Sequence, residues 1–257
     1  MRTLAIGDIH GAYAALVQCL ERSSFDKEQD LLITLGDICD GWPFVKECVE
    51  ELLTIENRID IIGNHDEWFK RWLTSGTHPD PRGTWFQGGV GTAKSYLRGT
   101  DREGMIVKGY PGYLCNIIRE DVPLSHHQFF ERQVLYYKDD QRNAFFVHAG
   151  FDRWFSISDN RTQFPMDFFW DRTLWEKAQC CRGGIRLATV DQFDKIYIGH
   201  TTCSHIDHCK PVFRGGVWNL DTGAGWEGKL TIMDVDTNAY WQSDYVTDLY
   251  PDITATR

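Results

Sequence analysis

Leu31-Leu32-Ile33-Thr34-Leu35-Gly36-Asp37-Ile38-Cys39-Asp40 decides how the rest of the chain is read. A short, mostly apolar run drives into a glycine, and two carboxylates follow three residues apart. Such a run has the length of a buried strand, and the glycine marks the turn that ends it. The pattern recurs on both sides. Thr3-Leu4-Ala5-Ile6 runs into Gly7-Asp8-Ile9-His10, and Ile59 to Ile62 runs into Gly63-Asn64-His65-Asp66. Further along, Ala144 to Val147 ends at His148-Ala149-Gly150, and Ile196 to Ile198 ends at Gly199-His200. The expectation is five strand ends that deliver side chains to one place, with Asp37 at its centre.

The intervals support that reading. Asp8 and Asp37 are 29 positions apart, Asp37 and Asn64 are 27, and each interval fits a strand, a helix and their loops. Tyr13, Leu16, Val17 and Leu20 stand at helical spacing within 12–22. Pro43 suits the first turn of a second helix, whose apolar face is Phe44, Val45, Cys48, Val49, Leu52 and Leu53. Strand–helix–strand–helix–strand is the order of an α/β layer with parallel strands, in which ligands gather at the carboxyl ends.

From about 66 to 138 the pattern loosens. A helix through Glu67, Trp68, Phe69, Trp72 and Leu73 opens this stretch, Thr77 to Gly91 reads as a Gly/Pro-rich loop, and a further helix is expected around 124–137. The stretch reads as a mainly helical insertion bordering the site within one domain, 1–257. Strands return from Asn143, and 229–235 alternates as a half-buried strand. The later strands are expected to form a second sheet packed on the first. The fold class is therefore α/β, two packed sheets flanked by helices, with a frayed tail from Asp252.

Composition narrows the function classes. The chain has 257 residues, 25% of them charged, and a formal net charge of -10. No apolar run approaches the roughly 18 residues of a membrane span, and the N-terminal run stops at Asp8, too short for a secretory leader. A cytoplasmic location with no membrane partner is the default. A chain this acidic is not expected to bind nucleic acid through its backbone charge. The eight cysteines read mostly as buried thiols, since a chain of this size does not need disulfides.

Asp, His and Asn at the strand ends offer hard oxygen and borderline nitrogen ligands. The set suits two divalent metal ions, with manganese first and iron, zinc or magnesium also compatible. Two such ions can clamp an in-line displacement and activate a water between them. Asp8 and His10, two apart in an extended segment, share a face and can hold one ion. Asn64, His148 and His200 complete the other, and Asp37 is the bridge. His65 is then free to act as a general acid, with Asp40 fixing its ring. Two competing patterns are weaker. Cys209 and Arg214 enclose four residues, one short of a cysteine-phosphatase loop, and Cys203, His205, His208 and Cys209 are cramped for a zinc site.

Taken together, Gly7-Asp8-Ile9-His10-Gly11, Gly36-Asp37-Ile38-Cys39-Asp40, Gly63-Asn64-His65-Asp66, His148-Ala149-Gly150 and Gly199-His200-Thr201 resemble the calcineurin-like metallophosphoesterases. Within them the chain is similar to the phosphoprotein-phosphatase branch, which holds bacterial and phage serine/threonine phosphatases and diadenosine tetraphosphatases. Leu220 to Ala224 resembles the branch's late strand and turn. The resemblance implies two mixed sheets flanked by helices. It places Asp8, His10 and Asp37 on one metal, and Asp37, Asn64, His148 and His200 on the other. It makes His65 with Asp40 the proton donor, and a metal-bridging water the nucleophile.

Thr202 stands where the wider superfamily often has a second histidine, which favours this branch. Asp66 stands where the branch usually has Glu. Gly41 replaces the arginine that usually grips phosphate, and Arg172, in a similar segment of bacterial members, is the candidate substitute, with Asn64 beside it. The function implied first is a phosphomonoesterase acting on phosphorylated protein. The same motifs leave open hydrolysis of diadenosine tetraphosphate or another small phosphate ester, and a catalytically inactive metal-binding scaffold.

Overall fold

The computed structural model describes residues 1–77, 85–109 and 112–256. Its elements run β1 (Thr3–Ile6), α1 (Tyr13–Arg22), β2 (Leu31–Thr34), α2 (Val45–Leu53), β3 (Arg58–Asp60), α3 (Asn64–Ser75) and α4 (Gly89–Leu97). Then come β4 (Ile106–Lys108), β5 (Tyr113–Cys115), α5 (Leu124–Arg132), β6 (Tyr136–Asp139), β7 (Ala144–Val147), α6 (Ile157–Gln163), α7 (Asp167–Trp170) and α8 (Thr173–Cys180). The chain continues through β8 (Lys195–Ile198), β9 (Val212–Arg214), β10 (Val217–Asn219), β11 (Thr231–Asp234), β12 (Tyr240–Gln242) and α9 (Val246–Leu249).

Two mixed five-stranded sheets carry the architecture, ordered β12-β11-β1-β2-β3 and β6-β7-β8-β10-β9, with β4 and β5 as a separate hairpin. β1, β2 and β3 are parallel, as are β7, β8 and β10. Alternation along each strand shows how the layers close. Leu4, Ile6 and Leu32 face the first sheet's helices, while Ala5 and Ile33 face the second sheet. On the other side, Phe145, Val147, Ile196 and Ile198 face α6 to α8, while Phe146 and Tyr197 point into the seam and stack with ring centroids 4.7 Å apart. Strands buried on both faces become continuous apolar runs, which is why they stand out in the sequence.

Four sequence expectations change. The strand in 229–235 is fully buried, and it belongs to the first sheet, antiparallel to β1. Its alternation separates two buried faces: Ile232 meets helices and Met233 meets the seam. The helix expected over 124–137 stops at Arg132, because Val134 bridges Ile61 and the apolar residues after it enter β6. The stretch 77–91 is not all loop. Residues 78–84 lie outside the described ones, but Gly89 already begins α4. The cysteines are all free, yet only Cys19, Cys39, Cys48 and Cys203 are buried.

Candidate active site

The carboxyl ends of β1, β2, β7 and β8, with the start of α3, converge on one point. His10, Asp37, Asp40 and His200 all have positive φ, from 49° to 66°. This left-handed backbone is sparsely populated by non-glycine residues and persists only where surroundings hold it. Packing against the turns is equally tight. A Cβ on Gly63 would stand 2.1 Å from Asp37 Oδ1, so only glycine lets α3 begin there.

Two groups of side chains have ligand atoms close enough to share a cation: Asp8, His10 and Asp37, and Asp37, His148 and His200. Asp37 belongs to both. Backbone carbonyls orient two of the rings. His10 Nδ1 donates towards the Cys39 and Asp40 carbonyls, at 2.9 and 3.0 Å, and His148 Nδ1 donates to the Leu35 carbonyl at 2.7 Å. A carbonyl can only accept, so each Nδ1 carries the proton. Each Nε2 then faces Asp37, at 3.4 Å from Oδ2 and from Oδ1 respectively. Asn64 Oδ1 lies 3.2 Å from His148 Nε2 and 2.9 Å from His200 Nδ1, which puts it in the second group. The Asp8 carboxylate accepts from the His200 backbone N–H, tying the first sheet's site residues to the second sheet's.

The electrostatics fit a cation pair. Asp37 Oδ2 and His200 Nε2 are buried without hydrogen-bond partners, and such groups are rare unless something else satisfies them. Burial opposes charge on His148, but the Asp37 carboxylate outweighs it and raises the ring's pKa to about 9. Burial opposes charge on Asp37 too, yet His148, His65 and His10 hold it well below the usual carboxylate range. His200 is pushed the other way by burial, His148 and Arg172, and so stays neutral, the form that binds metals. The donor set is oxygen and imidazole nitrogen, suited to divalent ions.

Beside these groups, His65 Nδ1 lies 2.8 Å from Asp40 Oδ2, and His65 Nε2 is 4.0 Å from Asp37 Oδ2. Arg172 is exposed at the start of α8, where its Nη1 donates to Thr201 Oγ1 at 3.0 Å, one residue from His200. Asp171 does not pair with it; its carboxylate caps α8 through the Thr173 and Leu174 N–H groups. All the sequence-predicted residues thus lie together. The Cys203, His205, His208 and Cys209 set forms no such group among the described residues, and the Cys203 thiol is buried against backbone carbonyls.

The roles of two side chains escaped the sequence reading. Asp66 accepts from the Ile38 and Cys39 N–H groups with Oδ1, and from Gly63 N–H and Gln133 Nε2 with Oδ2. It staples the Asp37 loop, the α3 start and the end of α5. Burial and Asp37 raise its pKa to about 6. Thr92 in α4 hydrogen-bonds Asp40. Its signal was the apolar spacing of Val90, Ala93 and Leu97, hidden behind glycines that suggested a loop.

The two-sheet α/β fold thus holds two clusters that could each bind a cation and that share one carboxylate. The chain belongs to the calcineurin-like phosphoesterase family, whose model matches residues 1–204. It is similar to a symmetrical bis(5'-nucleosyl)-tetraphosphatase of Buchnera aphidicola subsp. Acyrthosiphon pisum (strain Tuc7), 40% identical over 67 residues, 26% of this chain and 24% of that protein. A serine/threonine-protein phosphatase 1 of Salmonella typhimurium is 37% identical over 62 residues, 24% of this chain and 28% of the relative. The chain therefore spans about a quarter of the curated relatives it matches. In fold it is similar to a metallophosphoesterase from Sphaerobacter thermophilus (TM-score 0.54, 16% identity, 95% and 88% of the two chains covered). It is also similar to a Saccharomyces cerevisiae protein serine/threonine phosphatase (TM-score 0.55, 14% identity, 100% and 83% covered). No helix among the described residues is long and apolar enough to cross a membrane.

Proposed function

We propose that the protein is a metal-dependent phosphoesterase that cleaves dinucleoside polyphosphates of the diadenosine tetraphosphate type. One observation carries the substrate class. The stretch of about 67 residues matches tetraphosphatases from several bacteria, including Cellvibrio japonicus, Proteus mirabilis and Coxiella burnetii. The site mouth is compatible with it. Trp170 is half-buried, with its ring centroid 6.0 Å from that of His200 and 5.4 Å from that of Trp68, and Arg172 lies two residues on. An aromatic ring and a guanidinium suit a base and a phosphate chain. The phosphoprotein-phosphatase reading expected from the motifs becomes the second choice, supported by the Salmonella relative.

Asp8, His10 and Asp37 would hold one divalent ion, and Asp37, Asn64, His148 and His200 the other. Bound there, the ions supply Lewis acidity and a lowered pKa for the attacking water. The chain's own residues do the rest. Asp40 accepts from His65 Nδ1–H and so leaves Nε2, which faces the cluster, to deliver a proton to the departing oxygen. Arg172 steadies the phosphate from the open side.

The test is a side-by-side assay of manganese-loaded protein on diadenosine tetraphosphate, a phosphoserine peptide and p-nitrophenyl phosphate. At least about tenfold higher kcat/KM on the dinucleotide is expected, a transition-state difference of about 1.4 kcal/mol. Preference for the peptide would overturn the substrate class, and no turnover of any of them would overturn the enzyme.

A further inference from the structure

We infer that α4 is the positioning element for the acid pair, and that Thr92 is its working residue; this rests on the reading of His65 as proton donor. Thr92 is fully buried. Its hydroxyl donates to Asp40 Oδ1 at 2.6 Å and accepts from the Asp40 backbone N–H at 3.0 Å. A hydroxyl has one proton to give, so both bonds to Asp40 are used in one geometry. With Oδ1 engaged, Asp40 turns Oδ2 to His65 Nδ1 at 2.8 Å. The chain Thr92–Asp40–His65 fixes the plane of the carboxylate, and through it the direction of His65 Nε2. Hydrogen bonds in a buried chain of this kind polarise one another.

α4 can reach Asp40 because the glycines at its start carry no side chain: a Cβ on Gly88 would lie 2.7 Å from the Gly41 backbone nitrogen. Here the backbone of residue 41 is covered by α4. Its N–H donates to the Gly88 carbonyl at 3.0 Å. A Cβ on Gly91 would lie 2.5 Å from the Gly41 carbonyl oxygen, closer than real side chains come. From the far end of the chain, the Thr256 hydroxyl lies 2.8 Å from the Gly41 carbonyl oxygen and 3.1 Å from that of Gly88. With no side chain at 88 or 91, α4 lies against the backbone of residue 41, and Thr92, three residues past Gly89, grips the acid pair.

Thr92→Val keeps the shape and removes the hydroxyl; Thr92→Ser keeps the hydroxyl. Two readouts are compared in wild type and variants, with metal content measured in each. The first is the ratio of kcat on phenyl phosphate to kcat on p-nitrophenyl phosphate. A poor leaving group needs the donor most, so Thr92→Val is expected to lower kcat on phenyl phosphate about tenfold, with much less effect on p-nitrophenyl phosphate, KM within about twofold, and Ser close to wild type. The second is the downfield proton resonance of His65 Nδ1–H, which needs no turnover. It should move or vanish in Thr92→Val and persist in Thr92→Ser. Gly91→Ala, which lifts α4 with Thr92 intact, should copy Thr92→Val. An unchanged resonance in Thr92→Val overturns the proposal, as does an equal loss on both esters. Absence of wild-type turnover alone would instead strike at the proposed function, and the resonance would still decide the role of Thr92.

Discussion

Asp37 and Asp40 leave the same strand three positions apart, both buried and both with left-handed backbones. Opposite surroundings close around them. Around Asp37 stand His10, His65 and His148, each with a ring nitrogen 3.4 to 4.0 Å from its carboxylate, and one of its oxygens has no hydrogen bond. Around Asp40 both oxygens are engaged, by Thr92 and His65. The difference shows how one residue type takes two roles. A carboxylate left short of donors gathers positive charge, whereas one saturated by donors holds its neighbours still.

The sharpest way to break the comparison is to neutralise one side at a time. Asp37→Asn is expected to lower bound metal from two ions to one or none and to cut turnover by about 10³-fold or more, as loss of the shared ligand dismantles both clusters. His65→Asn should cut turnover by about 10²- to 10⁴-fold while metal content stays normal. Metal analysis beside kinetics checks both, and a His65→Asn protein without metal would merge the two regions into one.

Proton linkage gives the next largest effect. His148 has its folded-state pKa raised to about 9, against 6.5 for a free ring. In metal-free protein its pairing with Asp37 contributes stability fully present below about pH 6.5 and lost as pH rises through about 9. A metal takes the neutral ring, so it must displace that proton. Metal affinity should therefore climb about tenfold per pH unit towards pH 9 and then level, a slope of one proton. Metal titrations from pH 6.5 to 10 read it, and a flat profile would show that His148 is not the proton released. The smallest effect belongs to Arg172, outside both regions and exposed. Arg172→Ala should raise KM for the phosphate ester about three- to tenfold with kcat within about twofold. An unchanged inhibition constant for inorganic phosphate would remove it from the site.

How much of this was legible in the sequence follows from how each part is stabilised. The convergence of Asp8, His10, Asp37, Asn64, His148 and His200 was readable because each follows a short strand, four of the five being largely buried and β3 half-buried. Strands that are buried on both faces become apolar runs, and a glycine stands within three residues of each strand end. Asp66 and Thr92 were not, because their roles are hydrogen bonds to loops distant in sequence, and one aspartate or threonine on a helix carries no mark of its partner. The placement of β11 was unreadable for a similar reason. Alternation reports that two faces differ, but not that both are covered, nor which sheet a strand joins. Gly88 to Gly91 misled because a glycine needed for close approach looks the same as a glycine needed for a turn.

The bond from the His200 N–H to Asp8 spans 192 positions, and it has a consequence in time. A chain closes a loop of that length slowly and at an entropic cost that local structure does not offset. The first sheet's parallel strands can pair while the second sheet is still unformed, but the cradle is then only half present. The centre comes into being when the two sheets meet, so a chain that has not finished folding offers an ion only a fragment of its ligands.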